Sequence, residues 1–190
     1  YRVVQGNRIT TVAKTRDIRR VIAIEPTCNM YLQQGLMSVI ERALTPFGID
    51  LSVQQNRHHR WVYLASLSKK LATIDFSMAS DSLSLALVRC FLPPKWFNAL
   101  MRLRSPAGCF SEKEERYIQW PIISSMGNAG TFPLETLIFW AMAHVASTRY
   151  KGNSIIPDLR HHEIVSAFGD DVILPTASAQ FYIEQSEACG

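Results

Sequence analysis

Cysteine is scarce in this chain of 190 residues, and the four present, Cys28, Cys90, Cys109 and Cys189, are scattered without a Cys-x-x-Cys pair or a histidine at ligand spacing. That argues against a zinc site and a disulfide framework, and makes reduced thiols in a cytosolic compartment the expectation. Long apolar runs are missing too. The longest candidate, Leu134 to Ala146, falls short of the ~18 to 20 residues a membrane span requires and contains Glu135 and His144. No transmembrane helix and no secretory signal are read. Internal repeats and low-complexity tracts are absent. Charged residues are few, 19% against 47% hydrophobic, which argues against disorder and allows one sizeable core, or a core with an inserted subdomain. The net charge is only +4, so a polyanion partner must be met by a local patch and not by the average. The chain starts at Tyr1 without a Met and stops inside a helical pattern, as an excerpt of a longer protein would.

What the chain does have is an acid pair, Asp170 and Asp171, in the run AFGDDVIL. Adjacent carboxylates repel, and a tight turn that presses them together loses stability unless a cation sits against them. Gly169 permits the turn, and Ser166-Ala167-Phe168 and Val172-Ile173-Leu174 read as two strands of a hairpin with the pair at its tip. By itself such a turn is commonly a solvated hairpin tip. A divalent-metal site needs support from other segments.

The charge is also unevenly spread. Residues 1 to 24 hold Arg2, Arg8, Lys14, Arg16, Arg19 and Arg20 against a single acid, Asp17. Residues 16 to 24 read as an extended strand ending at Glu25-Pro26. Lys14, Arg16, Arg19 and Arg20 lie on a segment where alternate side chains share a face, giving a row of cations for an anionic partner; a nonspecific basic surface is the alternative. Thr27 reads as the N-cap of a helix to about Leu44, with Met30, Gln33, Met37, Ile40 and Leu44 at spacings of three and four. After the break at Pro46-Phe47-Gly48, a polar helix covers Gln54 to about Leu67, with Arg57, His58, His59 and Arg60 as a solvated basic face.

Leu71 to Phe76 reads as a short strand, and Ser80-Asp81 begins a helix to about Phe91. Pro93-Pro94 ends it and opens another around Trp96 to Leu103. Residues 104 to 123 read as a β-hairpin with a charged tip, Ser111 to Arg116. A loop, Gly127 to Gly130, precedes a long apolar helix from about Phe132 to Thr148, whose Phe139, Trp140 and Met142 are assigned to the core. A final helix starts at about Ala177. Asp75 ends the TIDF strand. If that strand lies beside the acid hairpin, Asp75, Asp170 and Asp171 converge and could hold two magnesium ions roughly 3.5 to 4 Å apart. Magnesium suits such a site because it takes hard oxygen ligands and completes its shell with water and substrate phosphates.

The runs TIDFSMASDSLS (Thr73 to Ser84), SSMGNAGTFPLETLIF (Ser124 to Phe139) and FGDD (from Phe168), in this order and at these separations, closely resemble the RNA-directed RNA polymerases of single-stranded RNA bacteriophages, the levivirus replicase β subunits. The runs RRVIAIEPTCNMYLQQG (Arg19 to Gly35) and GIDLSVQQN (Gly48 to Asn56) are similar to the same family, so the resemblance spans most of the chain. It implies an α+β fold, a polymerase palm with an antiparallel sheet covered by helices plus part of the fingers, in a fragment lacking the thumb. About 1–70 and 104–126 would be fingers, and about 71–103 and 127–190 palm. It implies that Asp75 and Asp170 ligate both catalytic metals, two Mg2+ with Mn2+ as a substitute, and that Asp171 is an auxiliary ligand.

The same resemblance makes Arg20 the strongest triphosphate contact, followed by Lys14 and Arg16, with Arg19 beside them. It sets the segment Ser77 to Asp81 against the incoming ribose, read by Ser80 or Asp81. The wider viral pattern separates its two acids by four residues, whereas Asp75 and Asp81 are separated by five. Ser125, Gly127 and Gly130 would let backbone approach the template or nascent pair, with Asn128 and Thr131 as nucleotide contacts. Met126 and Glu135 stand where the broader viral block has Ser and Asn. The implied function is template-directed RNA synthesis by two-metal nucleotidyl transfer from ribonucleoside triphosphates, for viral genome replication in the cytoplasm of an infected bacterium. Implied partners are template and nascent RNA, host elongation factors and a ribosomal RNA-binding protein, with no membrane. A reverse transcriptase is the enzymatic alternative, disfavoured by the small polar residues after Asp75. A noncatalytic RNA-binding palm remnant is the other.

Overall fold

The arginine-rich N-terminal segment folds as a β-hairpin. In the computed structural model, which describes residues 3–111, 116–150 and 165–189, strand β1 (Asn7–Ala13) pairs antiparallel with β2 (Arg19–Ile24) from Arg8↔Ile24 to Ala13↔Arg19. Strand β1 has no counterpart in the sequence reading. Its Ile9-Thr10-Thr11-Val12 run has strand propensity, but only Asn7 and Ile9 are buried, so the apolar alternation that marks a strand is nearly absent. Strand β2 begins at Arg19 and not at residue 16, because Lys14 and Thr15 N–H both donate to the Ile18 carbonyl, at 2.9 and 3.1 Å, and close a turn. This corrects the expected row of cations. Lys14 and Arg16 sit in or beside the turn, while Arg19 and Arg20 are successive strand residues on opposite faces.

The chain forms two compact units, Tyr1–Ser38 with Ser80–Thr131 and Val39–Ala79 with Phe132–Gly190. In the first, β1 also pairs in parallel with β4 (Ala107–Cys109), which pairs antiparallel with β5 (Ile118–Gln119), giving the order β2-β1-β4-β5. The expected hairpin is thus present; residues 112–115 of its tip lie outside the described residues. Glu25, the residue after β2, is buried with hydrogen bonds to both carboxylate oxygens. Ser105 Oγ donates to one at 2.6 Å and Asn7 Nδ2 to the other at 3.3 Å, while Asn7 Nδ2 also donates to Ser125 Oγ at 2.8 Å. A buried carboxylate is tolerable only with such donors. The expected helix from Ser80 to Phe91 is two pieces, α3 (Ala79–Ser82) and α4 (Leu85–Phe91), and α5 (Pro94–Leu103) follows after Pro93. The break has a cause. The Leu83 carbonyl accepts from Ile123 N–H and Leu85 N–H donates to Pro121 O, so this backbone is bonded sideways, and Ser84 caps α4 through Leu87 N–H at 3.1 Å.

Helix α1 (Thr27–Leu44) leads from the first unit into the second, as the periodicity predicts. The second unit is built on a three-stranded antiparallel sheet of order β3-β7-β6, with β3 at Leu71–Asp75, β6 at Ser166–Phe168 and β7 at Asp171–Pro175. Its centre is β7, whose Val172, Ile173 and Leu174 are all essentially inaccessible to solvent. One face, carrying Ala167, Val172 and Leu174, packs on Phe139, Ala143 and Ala146 of α6 (Thr131–Tyr150) and on Tyr182 of α7 (Thr176–Ala188). Phe76 stacks on Phe139 with ring centroids 4.7 Å apart and meets Tyr182 edge-on at 5.8 Å.

On the opposite face Ser166, the register partner of Ile173, meets α2 (Leu51–Ser68). Ser166 Oγ accepts from Gln54 Nε2 at 2.5 Å and lies 2.7 Å from His58 Nε2. His58 is therefore not part of a solvated face, although Arg57, His59 and Arg60 are exposed. A helix whose first half is mostly polar can still bury a stripe when the sheet offers it hydroxyl partners.

Burial, and to a smaller extent the charge of His59, pushes the His58 imidazole down to about 4. As pH falls from about 6.5 towards 4, the unfolded chain takes up a proton that the folded chain refuses, so stability present above this window is lost through it. The urea unfolding midpoint should drop between pH 7 and pH 5, and His58→Gln should flatten that slope. Equal slopes in parent and variant would contradict the assignment.

Candidate active site

Strands β6 and β7 pair from Ser166↔Ile173 to Phe168↔Asp171, which leaves Gly169 and Asp170 as a two-residue loop. Gly169 has φ +62° and Asp170 has a negative φ, the pattern of a type II′ hairpin with glycine at the first loop position. A side chain at Gly169 is excluded on a second count. A Cβ there would lie 2.5 Å from Cε2 of Phe132. The turn proper holds one acid, since Asp171 is already the first residue of β7; this corrects the expectation that both sit at the tip.

Strand β3 pairs with β7 in a register that sets Asp75 directly opposite Asp171. Directly opposed residues of an antiparallel pair project to the same face with Cβ atoms ~4.5–5.5 Å apart. Two carboxylates nearly a hundred residues apart in sequence are thus neighbours, both exposed, with Asp170 in the adjoining loop. Partial burial, then Asp170, then Asp75 raise the Asp171 carboxyl above the usual carboxylate value. Among the described residues no three His, Cys, Asp or Glu side chains form a ready-made metal cage. That is compatible with magnesium, which keeps several waters and uses one or two carboxylates plus substrate phosphates; the donor set of hard oxygens also fits it.

The other expected site residues belong to the first unit. Lys14, Arg16, Arg19 and Arg20 are all exposed around the end of the β1–β2 hairpin. Arg19 is engaged there, its Nε donating to Thr11 Oγ1 at 2.9 Å and its Nη2 to Thr11 O at 3.2 Å. Ser80 is buried and its hydroxyl has no hydrogen-bond partner among the described residues, whereas Asp81 is exposed. The Asn128 side-chain oxygen accepts from Gly130 N–H at 2.7 Å and its carbonyl from Thr131 Oγ1 at 3.0 Å, while Ser124 and Thr131 share a hydroxyl–hydroxyl bond. Gly127 meets the β2 backbone: a Cβ there would lie 2.0 Å from Ala23 O, and Ala23 N–H donates to Ser125 O at 3.1 Å. Its smallness is required by the protein's own backbone. Glu135 is buried and so is not a helix-surface carboxylate.

A family model described as RNA replicase, beta-chain, matches residues 1–190. The chain belongs to the RNA replicase beta-chain family. It is similar to the RNA-directed RNA polymerase beta chain of Enterobacteria phage fr, at 39% identity over 184 residues, and to the RNA-directed RNA polymerase subunit beta of Escherichia virus Qbeta, at 42% over 172 residues. Those matches cover 97% and 90% of this chain but 31% and 27% of the two relatives, so the chain spans about a third of their length or less. Among the described residues of this replicase-family chain, no helix is long and apolar enough to cross a membrane.

Two contacts of the acid loop escaped sequence reasoning. In this family member Phe132 and Thr136, one helical turn apart at the start of α6, both touch Gly169. The available signal was their i, i+4 spacing after the loop Gly127–Gly130. The surplus of carboxylates has a measurable consequence. With divalent metal removed at pH 7, Asp171→Asn should raise the melting midpoint, because the carboxyl it replaces ionises against burial and two like charges. The gain should shrink as pH falls into the carboxylate range. A variant less stable than the parent under these conditions would refute the electrostatic description.

Proposed function

We propose that the chain carries the nucleotidyl-transfer centre of an RNA-directed RNA polymerase, with Asp75, Asp170 and Asp171 as its metal-binding carboxylates. The observation that carries this reading is the register opposition of Asp75 and Asp171 beside the Asp170 loop, in a member of a replicase family. Bound there, magnesium ions would activate the attacking 3′-hydroxyl and stabilise the leaving pyrophosphate. The carboxylates hold that charge at one end of a rigid sheet. The two-residue turn leaves the Asp170 backbone little freedom, so positioning costs little at the moment of reaction.

In this reading about 71–103 and 127–190 supply the palm, and about 1–70 and 104–126 the fingers. Arg20, on the face opposite Arg19 and free of the Thr11 contacts that engage it, is the triphosphate contact of this reading, with Lys14 and Arg16 beside it at the turn. Asn128 and Thr131 hold the shape of the loop before α6, and the Asn128 amide NH2 is the group left to meet a nucleotide. The buried, unpartnered Ser80 hydroxyl is the better candidate for the ribose 2′-OH than exposed Asp81.

Asp75→Asn or Asp170→Asn in the whole replicase should abolish magnesium-dependent extension on an RNA template while leaving the melting behaviour folded. Retained extension in either variant refutes the assignment. Ribonucleotides should also be incorporated far better than deoxyribonucleotides, since a site built to bond a hydroxyl penalises a substrate without one. Ser80→Ala should reduce that preference. Equal use of both sugars by the parent would refute the ribose reading.

A further inference from the structure

Gly169 lies in the loop of the β6–β7 hairpin, outside the strand ladder, and its N–H must find a partner elsewhere. It donates to Thr136 Oγ1 at 2.9 Å in a buried bond. Thr136 is wholly inaccessible to solvent, and its own hydroxyl proton goes to the Phe132 carbonyl, 2.9 Å away and one turn back along α6. The hydroxyl is thereby fixed in direction: its single proton serves the helix and a lone pair serves the loop. Phe132 closes the other side of Gly169 and meets Phe168 edge-on with ring centroids 4.7 Å apart. Strand β6 is also held from α2: Ser166 meets Gln54 and His58 three residues before Gly169, Gln54 Nε2 donates to Ala167 O at 3.4 Å, and the His58 and Phe168 rings lie 6.1 Å apart.

We propose that Thr136 is a positioning residue for the reaction. Through the Gly169 N–H it fixes the loop that bears Asp170, and so sets where that carboxylate stands relative to Asp75 and Asp171. The inference rests on the functional reading above, but the hydrogen bond itself can be tested independently of catalysis. Thr136→Val keeps the branched shape and removes the acceptor; Thr136→Ser keeps the acceptor and removes a methyl. Loss of the bond leaves a buried N–H unpaired, which favours loop conformations that turn it towards water.

The test uses the whole replicase and two readouts. Hydrogen exchange of the peptide containing Gly169 should accelerate in Thr136→Val. Its turnover should fall by about ten- to a hundredfold, the range typical when a group that orients a metal ligand is removed, with the apparent KM for nucleotides and the melting midpoint close to the parent. Thr136→Ser should restore both exchange and turnover. Should Thr136→Val not fold, Thr136→Cys, of similar size and a poor acceptor, takes its place with the same two expectations. Parental exchange and turnover in the hydroxyl-free variant, or a turnover loss that Thr136→Ser does not restore, would overturn the proposal. Asp170→Asn separates it from the reading beneath it. An active Asp170→Asn chain defeats the metal-centre assignment, whereas exchange at Gly169 reports the Thr136 contact whatever the chemistry.

Discussion

Two carboxylates set opposite one another across an antiparallel ladder repel, and the second unit is organised around bearing that repulsion at the end of its sheet. At the ~5 Å spacing of opposed residues, two negative charges near a surface cost about 1–3 kcal/mol. The force that holds them together is burial. Val172, Ile173 and Leu174 follow Asp171 directly and are all out of water, each contributing about 1.5–3 kcal/mol. Together they exceed the repulsion, so the strand pairing can hold the two acids opposite one another. A cation that binds then gains from charge already assembled.

The burial of β7 on both faces explains the placement of its neighbours. Alternation along the strand sends Val172 and Leu174 to α6 and α7 and Ile173 to the face shared with Ser166. The first of these faces is closed by aromatic and small aliphatic groups; the second includes a polar contact through Gln54, His58 and Ser166. Among the described residues, the loop between β6 and β7 is held by α6, through Thr136 and Phe132. Glycine at 169 answers two demands at once, a positive φ and the absence of room for a Cβ.

The first unit follows a different rule, with buried polar groups and not an apolar strand at its centre. Asn7, Glu25, Ser105, Trp120 and Ser125 form a hydrogen-bonded set that joins β1, the end of β2 and the segment before the loop Gly127–Gly130. The contact of Gly127 with the Ala23 carbonyl adds a backbone approach that no larger residue could make. The basic hairpin and the glycine loop are therefore parts of one packed unit, although more than a hundred residues separate them in sequence. This gives the cations a fixed relation to Asn128 and Thr131.

Much of this was legible in the residues. The 3.6-residue period located α1 and α6, proline and glycine marked their ends, and the apolar runs around Gly169 announced a hairpin, because each signal depends on neighbours a few positions apart. The order and spacing of the motif blocks were enough to indicate the replicase family. Strand β1 and the break at Leu83–Ser84 were not legible: β1 lacks the apolar alternation that marks a strand, and the break is made by hydrogen bonds to backbone far along the chain. The buried side of α2 was hidden for a related reason: His58 and Gln54 look like solvent-facing residues until a serine from a distant strand supplies their partner. The sequence by itself determined most of the elements, the acid pair and the family, all carried by local pattern. Only the tertiary structure decided that Asp171 faces Asp75, and that a threonine hydroxyl holds the loop that leads into Asp171, because register and long-range contact are set by how whole strands and helices pack.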